Sequence, residues 1–429
     1  MEKVDVIIVG GGLAGLSCAY ELADSGMTIL VLERGDFSGS KNVTGGRLYL
    51  APLRGYLPDL WKDAPFERRV TKELLTLVGD THSATLELQS SPSHQQVSPS
   101  YTVLRAKFDR WLADIVSEKG VFVIPQKPVD DLIKEGDKVI GVRAGQEELG
   151  ADCVVAADGI LSFMVGKAGL RKALEPRHLA LGFKEVIALP SETIEDRFRL
   201  GEGEGAAQLF VGSLTKGRMG GGFVYTNKES LSVGMVVGIH SLNQTEPREE
   251  VYKLLDQFKE RPEIKNLIRG GETVEYSAHL ITEGGIHGKP KCYTDGMLVV
   301  GDAAGLGLNM LVTVRGMEYA MVSGVLAGRT IKRAKEQNDF SAASLAYYEK
   351  LLSESFILKE MMTYQHTLSI LENERLISKY PQAIVDLFEK VMTVDQRPKA
   401  SLYQTLCQGL KKEFFNLQTL KDWIQFRKL

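Results

Sequence analysis

The sequence predicts an α/β fold: a parallel sheet flanked by helices, a second domain on an antiparallel sheet, and a helical C-terminal region. Three observations predict it. Apolar runs at 4–9, 153–157 and 297–300 each end in a glycine or Asp-Gly turn, as strands buried on both faces do. Between 181 and 281 the chain changes to short strands broken by glycine turns. After Lys335 it reads as helix.

The first element is a strand at 4–9, followed by GGGLAG at 10–15, a helix over 16–23 and a strand over 28–32 that closes on Glu33. Gly10 allows a tight turn, Gly12 lets the backbone approach a pyrophosphate, and Gly15 lets helix and strand pack closely. Leu13 and Ala14 lie where a helix N-terminus offers free N–H groups and positive dipole to phosphate. Glu33, about twenty residues on, is placed to accept hydrogen bonds from a ribose, and Arg34 follows it. A lone GxGxxG is a weak signal and can be a turn without ligand. Here strand, turn, helix, second strand and terminal acid agree on a dinucleotide.

Length and composition bound the rest. The 429 residues suffice for two or three domains. An apolar content of 44% and a charged content of 25% are those of a globular protein. A net charge of -3 gives no electrostatic case for nucleic acid. No apolar stretch reaches the roughly 18 residues of a spanning helix, and no basic segment followed by an apolar one opens the sequence, so export is not expected. Cys18, Cys153, Cys292 and Cys407 lie more than a hundred residues apart, and the seven histidines show no HxxxH or HExxH spacing. No metal site is therefore expected. A reducing, cytoplasmic compartment is.

The identity of the dinucleotide turns on two later strands. One runs through 152–157 to Asp158 and Gly159; the other, 297–300, reaches Gly301, Asp302 and a long helix carrying Ala320, Gly324, Ala327 and Gly328. A carboxylate at a strand end before small residues suits a polyhydroxyl chain, with Asp302 on ribityl hydroxyls and the helix N-terminus facing phosphate. Each acid alone could merely cap a turn. Together, behind the N-terminal motif, they favour FAD over NAD.

Other elements follow in order. A helix from 101 to 119 carries Arg105, which could meet a phosphate, meet the flavin edge, or sit at the surface. Residues 129–144 form a hairpin around Glu135, Gly136 and Asp137, and 90–96 form a loop. Strands at 181–187, 208–211, 222–226 and 231–237 make the antiparallel sheet. Glycines over 217–222 imply a tight bend or close approach to a ligand. Residues 344–364 are the clearest helical stretch. The tail, 411–428, mixes aromatics with positive charge; it fits an interfacial helix or, as its apolar residues spread over more than one face, a packed one.

These motifs carry a resemblance. GGGLAG, KNVTGGRLY at 41–49, the segment from Val103 to Leu112, EYSAH at 275–279, and GDAAG at 301–305 followed by Arg315, Gly316 and Met317 resemble the electron-transfer-flavoprotein:quinone oxidoreductases, closest to their FixC-like members. The resemblance covers nearly the whole chain and weakens after about Tyr364. It implies FAD in a glutathione-reductase-type, Rossmann-like domain formed by 1–52, 100–175 and 290–335. It further implies a quinone-facing β domain of 53–99 and 176–289 and a helical region of 336–429. FixC-like members are described as working with the α and β subunits of an electron-transfer flavoprotein and a small ferredoxin-like iron–sulfur subunit, splitting electron pairs between quinone and a low-potential carrier. Single-chain members ligate a cluster through C-terminal cysteines that this chain lacks, which favours the FixC-like branch. One departure is Leu311, where relatives carry glycine.

Roles follow from that resemblance. Gly45 and Gly46 are expected where backbone passes the isoalloxazine, unless they form an ordinary loop. Gly46, Arg47, Asn309, Thr313 and Arg315 are the candidate catalytic residues. Asn309, Thr313 and Arg315 could bond the ring, and Arg315 would favour reduced flavin by its charge or form a structural ion pair. No nucleophile elbow, paired-carboxylate site or Cys–His dyad is present. The sheet over 181–281 is the expected wall of a quinone pocket. The expected activity is FAD-dependent electron transfer from an electron-transfer flavoprotein to quinone, with a membrane surface as a further candidate partner. The alternatives are an NAD(P)H-dependent flavin monooxygenase or prenyl-chain reductase, and an electron conduit without its own substrate pocket.

Overall fold

The computed structural model describes residues 2–41, 46–91, 99–171, 173–244, 250–396, 398–414 and 416–427. The chain divides into two compact units. The first comprises Met1–Glu67, Val97–Leu179 and His279–Thr363; the second comprises Arg68–Gln96, Ala180–Ala278 and Tyr364–Leu429.

The first unit is built on a sheet of order Tyr293–Thr294, Met297–Val299, Glu147–Ala156, Glu2–Val9, Ile29–Leu32, Phe122–Ile124. All pairings from Met297–Val299 onward are parallel. Val6, Ile7 and Ile8 are wholly buried, which is why these runs are uninterrupted rather than alternating. The register sets Val9 beside both Leu32 and Ala156. Three strands thus end level, at the edge where open α/β sheets bind ligands. The 129–144 hairpin is present as Asp131–Glu135 and Lys138–Ala144, and its second strand pairs antiparallel with Glu147–Ala156. The helices Leu13–Leu22 and Met317–Gln337 meet backbone to backbone: a Cβ on Gly324 would lie 2.1 Å from the Ala14 carbonyl oxygen.

Three expectations about this unit change. Met297–Val299 does not run into the long helix. Gly301–Ala304 makes a 3-10 turn, Leu308–Asn309 and Val314–Arg315 form a small hairpin, and the helix begins at Met317. Gly301 and Gly305 at φ +61° and +68° break the helical path. The helix expected from 101 starts at Arg105, because Ser100–Thr102 is a strand paired with Arg47–Tyr49. The stretch 344–364 is cut into shorter helices, Ala342–Leu345, Tyr347–Glu354 and Phe356–Thr363.

The second unit carries the sheet Glu272–Thr282, Leu179–Ala188, Ser230–Gly238, Gly220–Thr226, Glu204–Gly212, Arg69–Val78, Ser83–Gln89, with Glu272–Thr282 passing into the first unit at its end. The pairings among Leu179–Ala188, Ser230–Gly238, Gly220–Thr226 and Glu204–Gly212 are antiparallel. Glu204–Gly212 and Arg69–Val78 pair in parallel. Phe183, Phe210, Val224, Val233 and Met235 form its core with Ile194, Leu254, Phe258 and Ile264 from the helices Ser191–Phe198, Val251–Glu260 and Pro262–Ile268.

The 217–222 glycines have a packing explanation. A Cβ on Gly220 would lie 2.0 Å from the Val236 carbonyl oxygen, on Gly221 2.5 Å from that of Phe210, and on Gly222 2.7 Å from the Phe258 ring. Gly220, Gly221 and Gly222 thus permit close sheet and core packing.

The tail, open in sequence between an interfacial and a packed helix, packs onto its own unit. Its last helix, Leu417–Phe426, buries Thr419 and Asp422 and exposes Leu417, Leu420, Trp423 and Ile424. It packs by its polar side. Asp422 accepts Arg375 Nε at 2.7 Å and Asn373 Nδ2 at 3.0 Å, and it also bonds the Tyr380 hydroxyl. Among the described residues no helix is long and apolar enough to cross a membrane.

Candidate functional site

The level strand ends place Gly10, Glu33 and Asp158 on neighbouring turns. Gly10 donates to the Leu32 carbonyl at 2.9 Å. It sits at φ +110°, and a Cβ there would lie 2.3 Å from the Ala157 carbonyl oxygen, so only glycine fits. Glu33 is buried, and its two oxygens accept the N–H groups of Gly11 at 2.8 Å and Gly35 at 2.6 Å. The acid read from sequence as a ribose ligand thus also ties the glycine turn to the second strand. Gly12 caps the helix Leu13–Leu22 without a side-chain bond, and no acid lies in the first turn. The positive end of that helix is left for an anion. Leu13, Ala14 and Gly15 are buried in it, and Gly15 fits tightly under Gly10.

Asp158 accepts the Met164 N–H at 3.0 Å through Oδ2, whereas its buried Oδ1 has no hydrogen-bond partner among the described residues. Burial pushes this carboxyl up, against the pull of Arg34 and Arg171. Gly159 follows at φ +73°. Burial likewise pushes Asp302 up, with Arg105 and His279 opposing it. Gly301 donates to Ser323 Oγ at 2.9 Å, holding this turn on the long helix. A glycine cradle at a helix N-terminus, an orphaned buried carboxylate oxygen and a second enclosed acid fit the pyrophosphate and hydroxyls of FAD.

Arg105 is held from its own helix: its guanidinium donates to Asp109 at 2.7 and 2.8 Å, one turn along. It faces Asp302 as a charge rather than as an unengaged fork. Arg34 is exposed.

The hairpin after Asp302 gathers the other candidates. Asn309 pairs with Val314, and Leu308 with Arg315. Asn309 Oδ1 accepts the Leu311 N–H at 2.9 Å, and the Thr313 carbonyl accepts the Met310 N–H at 2.8 Å. Leu311 itself stands at φ +72°, the left-handed region that glycine occupies without strain. Arg315 is buried, donating to Glu318 at 2.6 Å and to Glu360 at 2.5 Å. Its charge is therefore shared with two carboxylates, as in the ion-pair reading, while its buried Nη2 has no hydrogen-bond partner among the described residues. Tyr49 lies under both Arg47, at 4.5 Å, and Arg315, at 5.9 Å. Arg47 also donates to Ser100 Oγ at 3.1 Å, and the Gly46 carbonyl accepts the Val103 N–H at 3.0 Å. Gly45 lies outside the described residues.

Sequence reasoning missed Glu283, Glu318 and Glu360. Glu318 stands three residues from Arg315, a helical spacing that could have signalled the pair. Glu360 lies 45 residues away, and nothing local marks it. Glu283 stands just before two glycines and faces Asn309.

Comparison with known proteins adds to this geometry. Residues 5–92 match a model for FAD dependent oxidoreductases, 179–281 one for the ubiquinone-binding region of ETF-QO, and 368–429 one for the ETF-QO/FixC family C-terminal domain. The chain is 41% identical to the probable electron transfer flavoprotein-quinone oxidoreductase YdiS of Escherichia coli K12, covering 99% of this chain and 98% of that one. It is 42% identical to Protein FixC of the same strain, covering 97% of each. Among solved structures, a geranylgeranyl bacteriochlorophyll reductase-like protein from Thermoplasma acidophilum superposes with a TM-score of 0.74 at 24% identity, over 98% of this chain and 99% of that one. The flavin-dependent brominase Bmp2 gives 0.63 at 16%, over 96% and 100%. Both share the fold.

Proposed function

Since the chain belongs to the electron transfer flavoprotein-quinone oxidoreductase/FixC family and is an FAD-dependent oxidoreductase, we propose that it takes electrons from an electron-transfer flavoprotein and passes them to a quinone, as the FixC-like subunit of a larger complex. The observation that carries this reading is the match of 179–281 to a ubiquinone-binding region in a chain with a complete dinucleotide cradle. FAD, when bound, supplies the redox chemistry, and the protein supplies position and environment. Gly10, Gly12 and the helix N-terminus would hold the pyrophosphate; Glu33, Asp158 and Asp302 would take hydroxyls. Gly46, Arg47, Asn309 and Thr313 are proposed to face the ring, with Arg315 holding its hairpin in place.

The four separated cysteines support a separate iron–sulfur subunit as the one-electron partner, and with it electron bifurcation in the assembled complex. For localisation we propose the cytoplasmic face of the cell membrane. The exposed Leu417, Leu420, Trp423 and Ile424, flanked by Lys421 and Arg427, support an interfacial contact there. Affinity capture of the native chain tests the assembly. Co-purified electron-transfer flavoprotein subunits and a small iron-containing subunit would support it; an isolated chain fully active with NAD(P)H would refute it.

A further inference from the structure

Glu283 is buried, at 6% exposure, in the first unit. Its N–H donates to the His178 carbonyl at 2.8 Å, which fixes the backbone. Its Oε1 accepts Asn309 Nδ2 at 3.4 Å, while Oε2 is enclosed and has no hydrogen-bond partner among the described residues. The segment around it is pressed onto the loop after Asp302. A Cβ on Gly305 would lie 3.0 Å from the Gly288 carbonyl oxygen, and one on Gly307 2.5 Å from Thr282. A carboxyl therefore stands beside the hairpin that carries Asn309, Thr313 and Arg315, with one oxygen unused.

No cation among the described residues pairs with it. His178 turns its ring to Gly284 and Gly288 and lies 3.9 Å from Glu175; His287 sits in the following turn. On the neighbouring hairpin, Arg315 is held by Glu318 and Glu360. On the helix Phe356–Thr363, Lys359 donates to the Glu354 carbonyl at 2.7 Å. Burial dominates and pushes the Glu283 carboxyl up to about 7, the Asn309 bond opposing it only in part. A buried carboxyl in this range holds its proton in mildly acid solution and releases it near neutrality.

We propose that Glu283 is the proton donor to the quinone carbonyl reduced beside Asn309. The proposal rests on the quinone-reducing reading above. Reduction of a quinone to the quinol takes two electrons and two protons. The electrons are those the redox cycle delivers. As the first quinol O–H bond forms, the Oε2–H bond of Glu283 breaks; water supplies the second proton and then reprotonates the carboxylate. Asn309 orients the acid through Oε1 and leaves Oε2 to donate.

The test uses FAD-loaded chain, Glu283→Gln and Glu283→Asp. Infrared difference spectra between pH 6 and pH 8 should show a carboxylic-acid C=O band in the wild type that disappears in Glu283→Gln. Dithionite-reduced protein is then mixed anaerobically with a soluble quinone analogue. The wild-type rate of flavin reoxidation should fall as pH rises through about 7. In Glu283→Gln it should be about a hundredfold slower at pH 6 and lose that dependence, with Glu283→Asp recovering part of both. A wild-type rate and pH profile in Glu283→Gln would overturn the proposal. If the wild type itself failed to reduce the analogue, the quinone reading would fall, and this assignment with it even where the band remained; a working wild type without the band would overturn the assignment alone.

Discussion

Gly11 donates its N–H to Glu33 Oε2 at 2.8 Å, so the glycine turn is fixed by the acid that ends the neighbouring strand. Glu33→Gln should weaken FAD binding about tenfold or more, because hydrogen bonds to a charged acceptor contribute roughly 1.5–3 kcal/mol. Gly12→Val should abolish binding by placing a side chain in the pyrophosphate path. Equilibrium titration of apoprotein with FAD reads both effects, and full occupancy in Gly12→Val would reject the cradle.

Arg315→Met should destabilise the protein by about 3–5 kcal/mol, since it leaves Glu318 buried without its cation. Denaturant unfolding measures this. Because Glu318, buried without its cation, takes up a proton, the local net charge is unchanged and the flavin midpoint potential should move little. A large fall in potential with unchanged stability would restore the role in flavin electrostatics first expected for this arginine.

Leu311→Gly should stabilise the hairpin by about 1 kcal/mol, by removing a non-glycine residue from φ +72°. Thermal unfolding of the FAD-loaded protein reads this gain. A loss of stability would show that Leu311 makes packing contacts worth more than its strain.

The cofactor cradle was legible because its parts are local. Gly10, Gly12, Gly15 and Glu33 follow one another through strand, turn, helix and strand, and each has a fixed task. Asp158 and Asp302 were legible because long apolar runs point to them. The hairpin between Asp302 and the long helix was not, because Gly301 and Gly305 interrupt a stretch whose small residues suit a helix. Arg315 was found, but its partner Glu360 comes from a distant helix that no sequence spacing connects to it. The strands Arg69–Val78 and Ser83–Gln89 were missed for a related reason. Lys72 and Thr76 are buried polar residues satisfied from other elements, Lys72 by Phe198 and Glu87, Thr76 by Thr85 and Gln208. Which face of the last helix turns inward was not legible, because one buried aspartate, held by Arg375 and Tyr380, decides it.

That contact gives a pH dependence. Arg375 beside Asp422 holds its carboxyl well below the usual carboxylate range. A depressed folded-state value means the contact stabilises fully above the unfolded value of about 3.9 and is lost as pH falls below it. Protection of Leu417–Phe426 against hydrogen exchange, relative to the unfolded chain at the same pH, should therefore fall as pH drops below about 4. Asp422→Asn should expose the helix already at pH 7, with a loss of about 2 kcal/mol. Protection unchanged by acid and by Asp422→Asn would show that other contacts hold the helix.

Electron entry bears most directly on the whole account. FAD-loaded chain is mixed anaerobically with NADH alone, then with NADH plus an electron-transfer flavoprotein, and flavin absorbance is followed before and after a quinone analogue is added. The chain should stay oxidised with NADH alone, bleach when the electron-transfer flavoprotein is present, and recover its colour with the quinone analogue. Rapid bleaching by NADH alone would contradict the account and place the chain with flavin enzymes that take hydride directly from a nicotinamide.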